Sequence, residues 1–235
     1  MHKGINVWSF AGGDYAQKFA LAKKAGFEGV EVALDEEGEL ALGSSDKQIA
    51  AIKRQADDAG IALYSLASGL HWKYNLAGDD AEGRKKAEQN MRRQLEVAKL
   101  LGCDTILTVP GSVSVSFAPE LGVTDYEKVY DRALAAMRDM APYAQSLGVK
   151  IGLENVWNDF LLSPIETRDF LDAVGSLDGF VDLLAGDVNW QAVTAALHAV
   201  GYDGWATAEM IPCYAQHSDT IIYNASRAMD AILGK

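Results

Sequence analysis

Two glutamates stand at the ends of short apolar segments, where carboxylates can move protons. The segment Val149–Glu154 follows a glycine and stops on Glu154, and a second segment of the same form runs from Gly201 to Glu209. A glutamate acts as a general acid or base when its pKa lies near the working pH, and carboxylate oxygens also bind hard divalent cations. The pattern therefore predicts one site that Glu154 and Glu209 share.

Both glutamates belong to a repeated order of helix, glycine and strand. Five helix-to-strand junctions carry it, at Ala25-Gly26, Ala59-Gly60, Leu101-Gly102, Leu147-Gly148 and Val200-Gly201. At each junction the glycine ends a helix, and an apolar strand starts two or three residues later. Alternating strands and helices predict a parallel sheet covered by helices, and the near-continuous apolar strands agree with burial on both faces.

The repeat predicts six strands, five before residue 155 and one that ends at Glu209. The first is an apolar run from Ile5 to Phe10, and the next three are 29–34, 61–66 and 105–109. Between Glu154 and Gly201 the rhythm changes, because helices at 164–174 and 187–199 follow one another. Residues 181–184 could extend, but the run is short and poor in β-branched residues and does not predict a strand.

Length and composition favour a single domain over residues 1–235 and exclude several classes of partner. The chain is 49% hydrophobic and has a net charge of -12, which argues against binding to nucleic acid or to an anionic membrane. Two cysteines without a CxxC spacing suit a reducing compartment. No apolar run approaches the ~18 residues of a membrane span, so the sequence predicts a soluble cytoplasmic protein.

With these segments in order, the chain resembles the xylose isomerase-like TIM barrels. The resemblance is closest to the sugar phosphate isomerases and epimerases, which include ketose 3-epimerases and hydroxypyruvate or hexulose-phosphate isomerases. It is carried by the segments Gly26–Glu31, Leu101–Ile106, Ile151–Asn155, Gly186–Trp190 and Gly201–Glu209. It implies an α/β fold with a TIM-barrel-like repeat, and a reaction that moves a proton next to a ketose carbonyl.

The resemblance also implies a metal site at the carboxyl ends of the strands. A divalent metal, most often manganese with magnesium or cobalt as alternatives, is held there by two glutamates, an aspartate and a histidine. Glu154 matches the glutamate of the family's fifth strand and Glu209 that of its eighth, and both would bind the metal and exchange the proton. The segments that would carry the aspartate and the histidine are absent, because the match passes from Val174 directly to Leu177.

The gap near residues 174–177 corresponds to two strands and a helix, about 40 to 50 residues. A TIM barrel usually needs roughly 250 residues and eight strands, so six strands predict an incomplete barrel. Three explanations stay open: a deletion that leaves an open or partner-completed barrel, a segment omitted from the sequence, and a wrong alignment. With two of four ligands, we expect weak metal binding and little turnover.

Other side chains are candidates for binding a small sugar or sugar phosphate. His71 and Trp72 follow the third strand and suit hydroxyl binding and ring stacking, although a loop histidine beside a packing tryptophan has the same pattern. Trp8 after the first strand could line the site, Glu31 at the end of the second could do the same, and Asn155 could bind a hydroxyl. The serines at 112, 114 and 116 lack the glycine-rich cradle or basic pair that phosphate binding favours.

Two further functions are open on the sequence. A truncated, inactive barrel could self-associate through its open sheet edges, because unpaired strand edges favour pairing with another chain. Such a protein would be a homo-oligomer. An abasic-site endonuclease on the same type of barrel is disfavoured by the acidic charge and by only four histidines.

Overall fold

The computed structural model describes residues 1–175, 178–180, 188–211 and 217–235. The strands among them are β1 (His2–Asn6), β2 (Gly29–Leu34), β3 (Ala62–Ser68), β4 (Thr105–Thr108), β5 (Lys150–Glu154), β6 (Asp178–Phe180) and β7 (Trp205–Ala208). The helices are α1 (Tyr15–Ala25), α2 (Asp46–Ala59), α3 (Ala81–Leu101), α4 (Tyr126–Leu147), α5 (Pro164–Val174), α6 (Trp190–Ala199) and α7 (Thr220–Leu233). Short 3₁₀ helices lie at Val7–Ser9, Gly69–Trp72 and Pro119–Leu121.

The described residues cluster into two compact units. Unit 1 contains residues 1–33, 50–64 and the described residues from 188 onward. Unit 2 contains residues 34–49 and the described residues from 65 to 180. Unit 1 therefore holds β1, β7 and almost all of β2, whereas unit 2 holds β4, β5, β6 and the second half of β3.

In unit 1, β1 pairs in parallel with both β2 and β7, and two aromatic rings require glycine in these strands. Gly4 lies opposite Gly29 on one side and Thr207 on the other. Tyr64 stacks on Trp205 with ring centroids 4.2 Å apart. A Cβ atom on Gly4 would lie 2.2 Å from the Tyr64 hydroxyl, and one on Gly29 would lie 2.7 Å from the Trp205 ring. The glycines thus make room for the rings that fill this part of the core.

In unit 2, β4 pairs in parallel with β3 and with β5, and β5 also pairs with β6. The register sets Thr108 opposite Leu153 and Glu154 opposite Phe180, so the carboxyl ends of these strands lie at one edge. Helices α3 and α4 pack against each other and against this sheet. Their buried side chains include Leu95 and Met137, which are fully inaccessible to solvent.

The predicted helix-to-strand junctions are confirmed. All five glycines, at positions 26, 60, 102, 148 and 201, have positive φ between 66° and 92°. In that left-handed region a residue with a Cβ atom is strained, which explains why glycine ends each helix. Helix α1 begins after Asp14, whose side chain accepts from the Gln17 backbone N–H at 2.8 Å.

The α/β class with parallel strands and intervening helices is confirmed, with two differences in the strands. The first strand ends at Asn6 and not at Phe10, because the Asn6 side chain accepts from the Trp8 backbone N–H and starts a 3₁₀ turn. A seventh strand, β6, lies directly before the run 181–184, which falls outside the described residues together with the junction at 176–177. Among the described helices, none is long and apolar enough to cross a membrane.

Candidate active site

Glu154 occupies the position that the sequence predicts, as the last residue of β5. The strand is buried at Ile151 and Leu153, whereas the Glu154 side chain is half-buried and Asn155 is exposed. A carboxylate at this boundary is accessible to a ligand that enters from solvent, while its strand is held rigidly in the sheet. In TIM barrels this end of the strands carries the chemistry.

The loop after β5 is held by a buried amide. The Asn158 side chain is 1% exposed and donates from Nδ2 to the Gly111 carbonyl at 2.7 Å. Its backbone carbonyl accepts from the Val113 N–H at 2.9 Å. Asn155 donates to the Leu161 carbonyl within the same loop. The loops after β4 and β5 are thus joined, and this connection fixes the backbone that follows Glu154.

Aromatic side chains stand on the loops of unit 2. Trp72, half-buried at the end of a 3₁₀ helix, meets Phe117 edge to face with centroids 5.1 Å apart. Phe117 is 55% exposed and Trp157 is 76% exposed. Exposed aromatic faces on loops after parallel strands suit stacking against a sugar ring. The sequence predicts a role for Trp72 but not for Phe117 and Trp157, which lie in segments without a strand, helix or binding motif.

His71 offers a hydrogen-bond acceptor. Burial lowers the pKa of His71 to about 4, and a hydrogen bond to the Leu107 carbonyl opposes the shift only in part. The ring is therefore neutral at pH 7, and the nitrogen that faces Leu107 carries the proton. The other nitrogen, Nε2, is buried without a hydrogen-bond partner in the described part of the chain. A ligand hydroxyl could satisfy this lone pair.

In unit 1, Glu31 differs from its predicted place at the end of a strand. It is the third residue of β2, which continues to Leu34, and it is only 2% exposed. Asn6 lies opposite in the register and donates from Nδ2 to Glu31 Oε1 at 2.7 Å. The alternation of apolar residues around Glu31 did not reveal this pairing, because the partner comes from another strand.

Trp8 and Glu209 follow the carboxyl ends of β1 and β7. Trp8 is 38% exposed, and Glu209, the first residue after β7, is exposed. The backbone N–H of Met210 donates to the Ser9 side chain at 2.8 Å, which ties the segment after β7 to the segment after β1. Glu209 belongs to unit 1 and Glu154 to unit 2. Their shared site therefore stays a prediction.

The described side chains do not fit a complete metal site. Within residues 1–175, 178–180, 188–211 and 217–235, no group of three or more histidine, cysteine, aspartate or glutamate side chains is placed to hold an ion. Manganese and magnesium sites in proteins use several oxygen or imidazole ligands. We therefore derive no chemical step through a metal.

The sequence pattern of the xylose isomerase-like TIM barrel family matches residues 19–181. This is more than half of the chain, and the protein belongs to that family. The resemblance predicted from the sequence is thereby confirmed. A search of curated protein sequences found no significant match.

Solved structures agree with this fold at low sequence identity. A D-psicose 3-epimerase studied in the presence of D-fructose has a TM-score of 0.82 at 19% identity, covering 100% of both chains. A D-psicose 3-epimerase with D-tagatose from Clostridium cellulolyticum H10 has a TM-score of 0.83 at 18% identity, covering 99% of both. A 3-keto-D-glucoside 4-epimerase from E. coli has a TM-score of 0.77 at 15% identity, covering 98% of this chain and 99% of the other.

Proposed function

We propose that this protein binds a small ketose at the loops of unit 2 and that Glu154 exchanges a proton at the carbon next to the carbonyl. The observation that carries the proposal is the half-buried Glu154 at the end of β5, in the same unit as a neutral His71, the half-buried ring of Trp72 and the exposed ring of Phe117. Membership of the xylose isomerase-like family supports it. The epimerases with similar structures are named for ketoses or keto-sugars, which supports the substrate class.

The chemistry assigned to these residues is an isomerase or epimerase reaction. Glu154 would take the proton from the carbon next to the carbonyl, and His71 Nε2 would accept a hydrogen bond from a neighbouring hydroxyl. Return of the proton from Glu154 to the resulting enediolate completes an exchange, and its return to the opposite face completes an epimerisation. For Glu209, in unit 1, the role of second acid stays a prediction. Asn155, in unit 2, keeps its predicted role in sugar binding, whereas the roles predicted for Trp8 and Glu31, in unit 1, stay predictions.

The proposed activity is weak. The family resemblance implies an aspartate and a histidine as further ligands of a manganese, magnesium or cobalt ion, and the match to this sequence passes over the segments that would carry them. Such an ion would polarise the carbonyl and stabilise the enediolate. Without it, general acid and base groups alone contribute about 10²–10⁴-fold. We therefore propose ligand binding of ordinary strength with slow proton exchange.

The site is tested by titrating uncharged ketoses while following the five tryptophan side chains by ¹⁵N NMR of their indole N–H groups. We expect saturable shifts at Trp72 and Trp157, which stand on the loops of unit 2. Trp190 and Trp205 serve as internal controls, since one lies on α6 and the other begins β7. A shift at Trp8 would add the segment after β1 to the site. No saturable shift with D-fructose, D-psicose or D-tagatose would contradict the proposal.

We also propose that the protein self-associates. The uncharged surface of α6 favours this second function. Residues 190–200 contain no aspartate, glutamate, lysine or arginine, in a chain of net charge -12. The alanines at 192, 195, 196 and 199 are all exposed, and Val200 is 79% exposed. Strand β7 of the same unit pairs only with β1 within the described residues. A helix without charged side chains suits contact with a second copy, because identical charges would repel across such an interface.

Replacing Ala196 with glutamate should prevent this association. The wild-type protein is expected to show a concentration-dependent mass increase by size-exclusion chromatography with light scattering, whereas A196E stays at the monomer mass of 25.3 kDa. The matched control is Gln145→Glu, which adds the same charge at an exposed position on α4. A wild-type monomer at all concentrations, or equal behaviour of both variants, would contradict a role for α6.

A further inference from the structure

The loops that follow the strands contain very few cations. The described residues include all 21 lysines and arginines of the chain. Twenty of them lie in helices, in the first two residues of a strand or at the carboxyl terminus. The exception is Lys73, directly after Trp72. Arg84 on α3 and Arg132 on α4 donate to the Gly78 carbonyl at 2.6 and 2.8 Å.

Lys73 is already paired with a glutamate. Its Nζ donates to Glu36 Oε2, and the Tyr74 hydroxyl donates to Glu36 Oε1 at 2.9 Å. The hydrogen bond from Lys73, followed by that from Tyr74, lowers the pKa of Glu36, and the same pair raises the pKa of Lys73. Lys86 on α3 adds a weaker attraction to Glu36. All four residues belong to unit 2, like His71 and Trp72.

The segment that supplies Glu36 is strongly acidic. Asp35, Glu36, Glu37 and Glu39 occupy four of the five positions from 35 to 39. A sugar phosphate carries about -2 at pH 7, so this segment repels it while leaving an uncharged sugar unaffected. Proteins that bind sugar phosphates usually donate hydrogen bonds to the phosphate from arginine, lysine or backbone N–H groups that have no other partner.

We infer that Glu36 holds Lys73 away from anions and that the site thereby selects uncharged sugars over sugar phosphates. The inference rests on the proposed sugar site in unit 2 and adds the substrate class to it. Glu36 acts as a specificity-determining residue through Lys73, not through contact with the reacting carbon. Lys73 would become available to a phosphate once the carboxylate of Glu36 is neutralised.

The experiment compares D-fructose with D-fructose 6-phosphate, titrated by calorimetry at low ionic strength, where surface charges act most strongly. The variants are Glu36→Gln, Glu37→Gln and the double variant Glu36→Gln with Lys73→Met. E37Q is the matched control, because it removes the same charge from the same exposed segment without releasing Lys73. The wild-type protein should bind the phosphate roughly tenfold more weakly than the uncharged sugar.

E36Q should strengthen phosphate binding by roughly two- to fivefold with D-fructose unchanged, the range of a single exposed ion pair. The double variant should lose this gain, and E37Q should show less of it. Wild-type binding of the phosphate as tight as that of D-fructose would overturn the inference and leave the sugar site standing. Equal gains in E36Q and E37Q would overturn the role of Lys73. Binding of neither sugar would contradict the proposed site itself.

Discussion

Replacing Glu154 with glutamine is expected to slow proton exchange on a bound ketose by about 10²–10⁴-fold, the contribution of a positioned general base. The amide keeps the size of the side chain and one acceptor oxygen but cannot take a proton at neutral pH. Since Glu154 is half-buried at the rigid end of β5, the change should leave the fold and the sugar dissociation constant nearly unaltered. The rate is measured in D₂O by ¹H NMR, as loss of the signal from the proton on the carbon next to the carbonyl.

The matched control for this variant is Glu120→Gln. Glu120 is exposed in the 3₁₀ helix Pro119–Leu121 and loses the same charge on substitution. We expect its exchange rate to equal that of the wild-type protein. If E154Q and E120Q both exchange the proton at the wild-type rate, Glu154 is not the base. If E154Q loses sugar binding together with exchange, its role is in binding and not in proton transfer.

Replacing Phe160 with alanine is expected to lower the free energy of unfolding by about 3–5 kcal/mol, the usual cost of truncating a buried phenylalanine. Phe160 is 1% exposed, and its ring meets Tyr126 and Phe170 with centroids 5.5 and 5.9 Å away. It lies on the loop that follows Glu154, so its packing also fixes that loop. Chemical unfolding in urea, followed by circular dichroism, measures the change.

Phe117→Ala is the control for this loss of an aromatic ring. Phe117 is 55% exposed, so its removal should change the stability by no more than about 0.5 kcal/mol. The same variant should weaken ketose binding, because Phe117 contacts Trp72 on the loops of the proposed site. A loss of less than about 1 kcal/mol for F160A would show that the aromatic cluster does not anchor the loop after β5.

The parts of the fold that the sequence predicted are those set by local chemistry. Gly26, Gly102 and Gly148 end helices because only glycine takes the left-handed conformation there without strain. Glu154 was found for a similar reason, since an apolar strand that stops on a carboxylate is visible in a few consecutive residues. Membership of the family followed from the order of such segments.

The parts that the sequence did not predict depend on contacts between distant segments. Asn158 joins two loops through the Gly111 carbonyl, 47 residues away, and nothing near Asn158 in the chain reveals that partner. The sequence predicts Glu31 at the end of a strand, because the alternation of apolar and polar residues does not show that its hydrogen-bond partner is Asn6 on another strand. Lys73 and Glu36 are 37 residues apart and form an ion pair, so the sequence does not show that this lysine already has a partner.

The most direct test of the account is the rate at which the wild-type protein exchanges the proton next to the carbonyl of D-fructose in D₂O, with and without added manganese. We predict slow exchange that is saturable in sugar, is lost in E154Q and changes little when manganese is added. This result would show that Glu154 moves the proton without a complete metal site. No exchange under either condition, or rapid turnover that depends on manganese at micromolar concentration, would contradict the account.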